Sequence, residues 1–282
     1  MIIIADAGST KTDWSLIDDT NRVVSFQTQG FNPYFNNTET IISGLKKDFP
    51  DDIDYSLINH VYYYGAGCST EKNCDIIYQV LNNIFSNSVL FVSDDLLGAA
   101  RSLFGNQEGI ACILGTGSNS GYYDGKNIIK RLPSFGYLFG DEGSGAHLGK
   151  MLIQDYLSEG IPELVKELFD KKYNYSLGDI LEGVYKNSYP NRFLASFTSF
   201  LSENISIPYI EQLVKTSFSE FFEKNLKKYS SFDTPELACV GSVAYYFRKF
   251  FQEIAEANNV NVIRFSKTPV RGLIRYHCNI EV

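Results

Sequence analysis

Short apolar runs recur along this chain between tight polar turns. Ile2 to Asp6 is the first, turned by Ala7-Gly8-Ser9-Thr10; Thr12 to Asp18 and Arg22 to Thr28 follow, separated by Asp19-Thr20-Asn21. Three such runs with tight connections predict a three-stranded meander. Beyond it the pattern predicts a helix around Thr38 to Asp48, a strand from His60 to Tyr64, a helix near Cys74 to Phe85, a strand from Val89 to Ser93 and a helix from about Asp95 to Phe104. The first half therefore reads βββαβαβα.

The second half opens the same way. Ile110 to Leu114, Asn119 to Tyr123 and Asn127 to Arg131 form another meander, turned by Gly115-Thr116-Gly117-Ser118 and by Asp124-Gly125. A long helical stretch intervenes, about 144–229. Its positions Ile210, Leu213, Val214, Phe218, Phe221 and Phe222 fall at helical spacing and predict a core-facing stripe. The closing pattern then returns: a strand from Glu236 to Val240, a helix from Ser242 to Ala257, a strand from Val260 to Phe265 and a last helix from Pro269 to His277. Two copies of one order predict duplicated α/β lobes with a helical insertion in the second, rather than a single continuous sheet.

Composition narrows the partners. Of 282 residues, 44% are hydrophobic and 21% charged, which is ordinary for a globular protein. A net charge of -8 argues against a nucleic acid or an anionic membrane. No apolar run approaches the roughly 20 residues that span a bilayer. Met1 to Asp6 meets a carboxylate too early for a signal peptide, so a cytoplasmic protein is expected. Five scattered cysteines without a CxxC pair read as reduced thiols. His60, His147 and His277 lack metal spacing and read as surface or packing residues.

The two turns carry the candidate chemistry. Gly8, Ser9, Thr10, Lys11 and Thr12 supply backbone amides and hydroxyls without bulk, which suits phosphate oxygens. Asp6, ending the strand before them, is placed to hold a hydrated Mg2+. Gly115, Thr116 and Gly117 form a second such turn at the equivalent place in the second copy. Two loops facing each other across an interlobe cleft would clamp the triphosphate of ATP. Neither a GxxxxGK[ST] loop nor a strand–GxGxxG–helix unit occurs.

The segments "IIIADAGSTKTDWSLID", "VSDDLLGAA", "GTGSNS", "GYLFGDEGSGAHLG" and "TPVRGLIRYH" resemble the N-acetylglucosamine kinase / BadF–BadG ATPase family, in the right order over nearly the whole chain. That family belongs to the actin, heat-shock-protein and sugar-kinase superfamily of duplicated ribonuclease-H-like lobes. The resemblance implies a last helix crossing back to the first lobe, hence an N-terminal lobe of 1–108 plus 267–282 and a C-terminal lobe of 109–266. It implies ATP-dependent phosphorylation of an amino-sugar hydroxyl, N-acetylglucosamine to its 6-phosphate being the first choice, with Mg2+ and a homodimer expected.

Phosphoryl transfer to a hydroxyl needs a carboxylate to accept the proton. Asp94 and Asp95 end the strand from Val89; the family pattern assigns the base to Asp95, but Asp94 stands where relatives often carry Asn. One of the two is also expected to cap the following helix. Asn32 resembles the family's sugar-binding Asn, while Asn119, Asp141 and Glu142 sit at loop tips suited to sugar hydroxyls, with Asp94 a further substrate contact. Gly241 and Ser242 lie where the family binds adenosine. Two other readings remain: an ATPase activator of a 2-hydroxyacyl-CoA dehydratase, which would need cluster-binding cysteines, and a non-enzymatic sugar- or ATP-sensing regulator.

Overall fold

The computed structural model describes residues 1–8, 10–34, 36–229 and 236–281. In chain order the first half builds β1 (Ile2–Ala7), β2 (Lys11–Ile17), β3 (Val23–Gln29), α1 (Thr38–Asp48), β4 (His60–Gly65), α2 (Glu71–Ile84), β5 (Val89–Asp94) and α3 (Asp95–Phe104). The second meander is β6 (Glu108–Leu114), β7 (Ser118–Asp124) and β8 (Ile128–Arg131). Seven helices follow among the described residues: α4 (Gly136–Phe139), α5 (Gly145–Leu157), α6 (Glu163–Tyr173), α7 (Leu177–Tyr185), α8 (Pro190–Ser196), α9 (Thr198–Glu203) and α10 (Pro208–Lys224). The chain closes with β9 (Leu237–Val240), α11 (Ser242–Tyr246), α12 (Arg248–Ala257), β10 (Val262–Ser266) and α13 (Val270–Cys278).

The chain divides into two units. The first comprises Met1–Gln107, Gly125–Ile128 and Thr268–Val282, the second Glu108–Asp124 and Ile129–Lys267. Each holds one five-stranded sheet, ordered β3-β2-β1-β4-β5 and β10-β9-β6-β7-β8. Read from the opposite edge, the second order repeats the first. The meander strands pair antiparallel, and the later strands join in parallel on the other side of β1 and of β6. This two-lobed α/β duplication is the predicted fold class.

In the first unit Trp14 is fully buried, edge-on to Phe49 at 5.0 Å between ring centroids. Its indole N–H donates to Thr28 Oγ1 at 3.0 Å, so the core's largest ring brings its one polar atom to a partner. Side-chain oxygens of Asn37, Thr70 and Asp94 cap α1, α2 and α3. Helix α13 lies against α3 and β1. Gly272 makes that crossing close, since a Cβ there would sit 2.2 Å from the Ser102 carbonyl oxygen.

In the second unit the predicted stripe of α10, Ile210 to Phe222, is buried, and Phe218, Phe221 and Phe222 meet Phe251 of α12. One expectation needs correction. Ser242 to Ala257 is not one helix but two, broken at Phe247, whose backbone (φ -101°, ψ 18°) leaves the helical region while its ring is buried in the core. Three aromatics in a row, Tyr245 to Phe247, favour the helix weakly, and burying the third ring outweighs continuity.

Candidate active site

In the first unit the hairpin between β1 and β2 is a tight backbone knot. The Gly8 N–H donates to the Lys11 carbonyl at 2.9 Å and the Gly30 N–H to the Thr10 carbonyl at 3.1 Å. Thr10 and Lys11 are exposed and Thr12 is buried. Ser9 lies outside the described residues. Asp6 and Asp13 are direct cross-strand partners and so share one face of the sheet. Asp13 is itself held, receiving Lys11 Nζ at 2.9 Å and Gln27 Nε2 at 2.6 Å.

Asp6 lies deep among protein atoms but keeps part of its surface open. Burial, then the Asp13 and Asp95 charges, raise its carboxyl to about 7 against the pull of Lys11. A buried carboxyl with two further carboxylates bearing on it ionises at a cost that a divalent cation would lower. Among the described residues no group of three or more His, Cys, Asp or Glu is arranged as a metal cage. Asp6 and Asp13, two carboxylates on one face of the sheet, match the one or two that Mg2+ uses while keeping several waters.

The same electrostatics separate the two neighbouring acids. Asp94 is the N-cap of α3, its Oδ1 accepting the Leu97 N–H at 3.0 Å. Asp95, the first residue of α3, is the one whose charge reaches Asp6. Burial raises the Cys68 and Cys74 thiols; Cys74, Asp95 and Asp94 push Cys68 up further and Asp94 does the same for Cys74, so neither is held as thiolate. Asn32 forms an Asx turn, its Oδ1 accepting the Tyr34 N–H at 3.0 Å. Gly67, at φ +88°, packs so closely that a Cβ would lie 2.5 Å from Asn32 Oδ1. Buried Asn73 fixes that turn by donating Nδ2 to the Gly67 carbonyl at 2.8 Å.

In the second unit the loop at 115–118 is strapped to the start of α5. The Gly145 and Ala146 N–H groups donate to the Gly115 and Thr116 carbonyls at 2.8 and 3.0 Å, and Gly115 N–H to Gly117 O at 3.0 Å. Gly241, at φ +122°, backs the loop's first residue, since a Cβ there would lie 2.3 Å from the Leu114 carbonyl. Only glycine tolerates both that conformation and that approach. Asp141 Oδ1 accepts the Ser118 N–H at 3.3 Å, and a Cβ on Gly117 would meet Asp141 Oδ2 at 3.1 Å. The second unit thus brings together Gly115, Thr116, Gly117, Asp141 and Gly241.

Burial raises the Asp141 carboxyl, with neighbouring Glu142 adding to it against the Ser118 N–H. Burial also pulls on Glu142, but its own backbone N–H and the Lys224 ammonium, 3.1 Å away, outweigh it and hold the group below its ordinary value. Asn119, Asp141, Glu142 and Phe135 line one small hollow of about 20 Å3. Asn119 Oδ1 accepts the Ser120 N–H at 2.9 Å. A larger cavity of about 300 Å3 opens beside exposed Ser242, walled by Thr198, Ser202, Glu203, Val243 and Tyr246.

Sequence reading missed Asp13 and Asn73, while His147, read as a surface or packing residue, is buried. Asp13 had a signal in the hairpin register, which places it opposite Asp6. Asn73 acts on a partner that chain order does not reveal.

No family model and no curated protein matches the chain. Among solved structures, a candidate N-acetylglucosamine kinase of Porphyromonas gingivalis is 38% identical, with 99% of each chain covered and a TM-score of 0.94. A second candidate N-acetylglucosamine kinase, from Chromobacterium violaceum, is 16% identical over 98% of each chain at a TM-score of 0.64. The ROK family glucokinase of Streptomyces griseus, in complex with glucose and AMPPNP, is 16% identical at a TM-score of 0.61, covering 97% of this chain and 96% of its own. The two at 16% share the fold. Duplicated sheets, each with a glycine-hydroxyl turn after its first strand, define a protein of the actin, heat-shock-protein and sugar-kinase superfamily. Within it, the chain belongs to the N-acetylglucosamine kinase / BadF–BadG ATPase family.

Proposed function

We propose that this ATP-dependent sugar kinase transfers the γ-phosphoryl group of ATP to a hydroxyl of an amino sugar, N-acetylglucosamine giving its 6-phosphate being the first expectation. The observation that carries the reading is the 38% identity over 99% of both chains with a candidate N-acetylglucosamine kinase. The same reading expects a cytoplasmic protein with ATP and an amino sugar as its small-molecule partners. No described helix is long and apolar enough to cross a membrane.

In this mechanism the amides and hydroxyls of the Gly8–Thr12 and Gly115–Gly117 turns receive the phosphate oxygens, and Gly241 and Ser242 receive the adenosine beside the larger cavity. Asp6, supported by Asp13, would hold Mg2+ through its waters; when bound, Mg2+ neutralises charge on the phosphates. Asp95 accepts the proton of the attacking hydroxyl, its neighbour Asp94 being committed to the helix cap. Asn32, Asn119, Asp141 and Glu142 hold the sugar hydroxyls and the acyl-amino group, with Asp94 at the margin of that set. A coupled ADP-release screen of amino sugars and hexoses with magnesium-ATP tests the reading. N-Acetylglucosamine should give the highest kcat/KM, and a screen in which every amino sugar is silent while a neutral hexose turns over would refute it.

A further inference from the structure

Asp141 and Gly143 both stand in left-handed backbone conformations, at φ +59° and +76°. Asp141 lacks glycine's freedom there, so surrounding contacts must hold the turn in place. Those contacts come from α5 and α10. The Gly143 N–H donates to Ser217 Oγ at 3.2 Å, and Ser217 Oγ lies 2.8 Å from His147 Nδ1. On its far side His147 Nε2 faces Glu220 Oε2 at 3.8 Å. Ser217 is fully buried and His147 nearly so.

Ser217 Oγ and His147 Nδ1 share one hydrogen, whose donor is set by the imidazole tautomer, and in either orientation the Ser217 oxygen keeps a lone pair for the Gly143 N–H. Glu220, at 3.8 Å, lies beyond hydrogen-bond reach of Nε2 and acts as a neighbouring charge. Burial holds the His147 imidazole below its ordinary value against Glu220 and Glu142, with Lys150 and Lys224 also opposing the charged form. The arrangement resembles a hydrolase triad in its residue types, but the buried Ser217 hydroxyl reaches a backbone amide of its own chain.

We propose that His147 and Ser217 are positioning residues that lock the 141–143 turn and thereby aim the Asp141 carboxylate at the sugar. The proposal rests on the sugar-kinase reading of Asp141. The turn touches the phosphate loop through the Asp141 contact with Ser118, but that loop also has its own straps from Gly145 and Ala146 and its own backing at Gly241, so loosening the turn removes only part of its support. Sugar affinity should therefore respond to the relay more than ATP affinity does.

Two measurements test this on the full chain. Hydrogen–deuterium exchange of the ligand-free protein should show faster exchange at 141–145 in Ser217→Ala and in His147→Leu, with α12 unchanged. His147→Asn keeps an acceptor near the Nδ1 position and should restore most of the protection. In kinetics with N-acetylglucosamine and magnesium-ATP, Ser217→Ala should raise the sugar KM about tenfold and the ATP KM less than about threefold, the scale of one lost buried hydrogen bond. Unchanged exchange in both Ser217→Ala and His147→Leu overturns the proposal, as does an equal rise in both KM values. Asp141→Ala separates the two levels. If it leaves the sugar KM alone, the sugar reading of Asp141 fails; if it raises that KM and Ser217→Ala does not, the relay alone fails.

Discussion

Burial of Asp6, reinforced by the Asp13 charge opposite it and by Asp95, raises its carboxyl far above the range of a solvated side chain. The folded-state value of about 7 lies above the 3.8 of a free side chain. Between those values the folded state keeps a proton that the unfolded chain has lost, so stability falls as pH rises through that window. In metal-free protein the unfolding free energy should therefore fall by on the order of 2–4 kcal/mol from about pH 5 to about pH 7.5, and the melting temperature with it. Asp6→Asn should flatten the profile, and Mg2+ at pH 8 should raise the melting temperature of the parent but not of Asp6→Asn. A flat profile in the parent protein would show that Asp6 is ordinarily ionised. The two neighbouring acids make a second residue-scale contrast. Asp95→Asn should lower kcat by about 10²–10⁴ with ATP KM little changed. Asp94→Ala should instead cost about 1 kcal/mol of stability through loss of the α3 cap. The reverse pattern, in steady-state kinetics and urea unfolding, would move the base to Asp94.

At the scale of elements, two kinds of glycine behave differently. Gly272 sits where α13 crosses α3, and a Cβ there would press 2.2 Å from a backbone oxygen that cannot swing aside. Gly272→Ala should cost about 2 kcal/mol or more, since backbone must move to admit it. Gly115 has nothing within 4 Å of its Cβ position. Gly115→Ala should leave urea stability within about 1 kcal/mol while raising the ATP KM, because the added methyl enters open space that the proposed function assigns to phosphate. An unchanged ATP KM would remove Gly115 from the phosphate loop. The strands and most helices were legible in the sequence because each carries its period and turn signals locally, as in Ile2 to Thr28 and at Asp124-Gly125. The break at Phe247 was not, since it depends on core space that spacing does not describe. Of the candidate site, the glycine turns were legible as composition. The tie from His147 to Ser217 was not: its partners are 70 positions apart, and each alone reads as a core residue.

At the scale of the whole molecule, duplication gives each unit a backbone turn of its own and neither turn much positive charge. Each unit places a turn directly after its first strand, at the end of a sheet whose parallel strands bring their carboxyl ends to the same side. In the phosphate turns Lys11 is the one basic residue, in a chain of net charge -8. On the proposed reading, selectivity would come from hydrogen bonds and geometry, and Mg2+, when bound, would supply positive charge at the phosphates. The proposed sugar set of Asn32, Asn119, Asp141 and Glu142 is wholly polar, and a site built to bond a given hydroxyl rejects an analogue lacking it, because its own groups are left unpaired. Deoxy analogues of N-acetylglucosamine turn that into a measurement. The 6-deoxy sugar lacks the proposed acceptor oxygen, so it should compete with substrate yet release no coupled ADP. The 3-deoxy and 4-deoxy sugars keep the acceptor and lose a recognition group, so they should turn over with kcat/KM lower by about 10²–10⁴. Turnover of the 6-deoxy sugar at the parent rate would place the transferred phosphoryl on another oxygen. Full activity with both the 3-deoxy and 4-deoxy sugars would mean that the polar set holds neither of those hydroxyls.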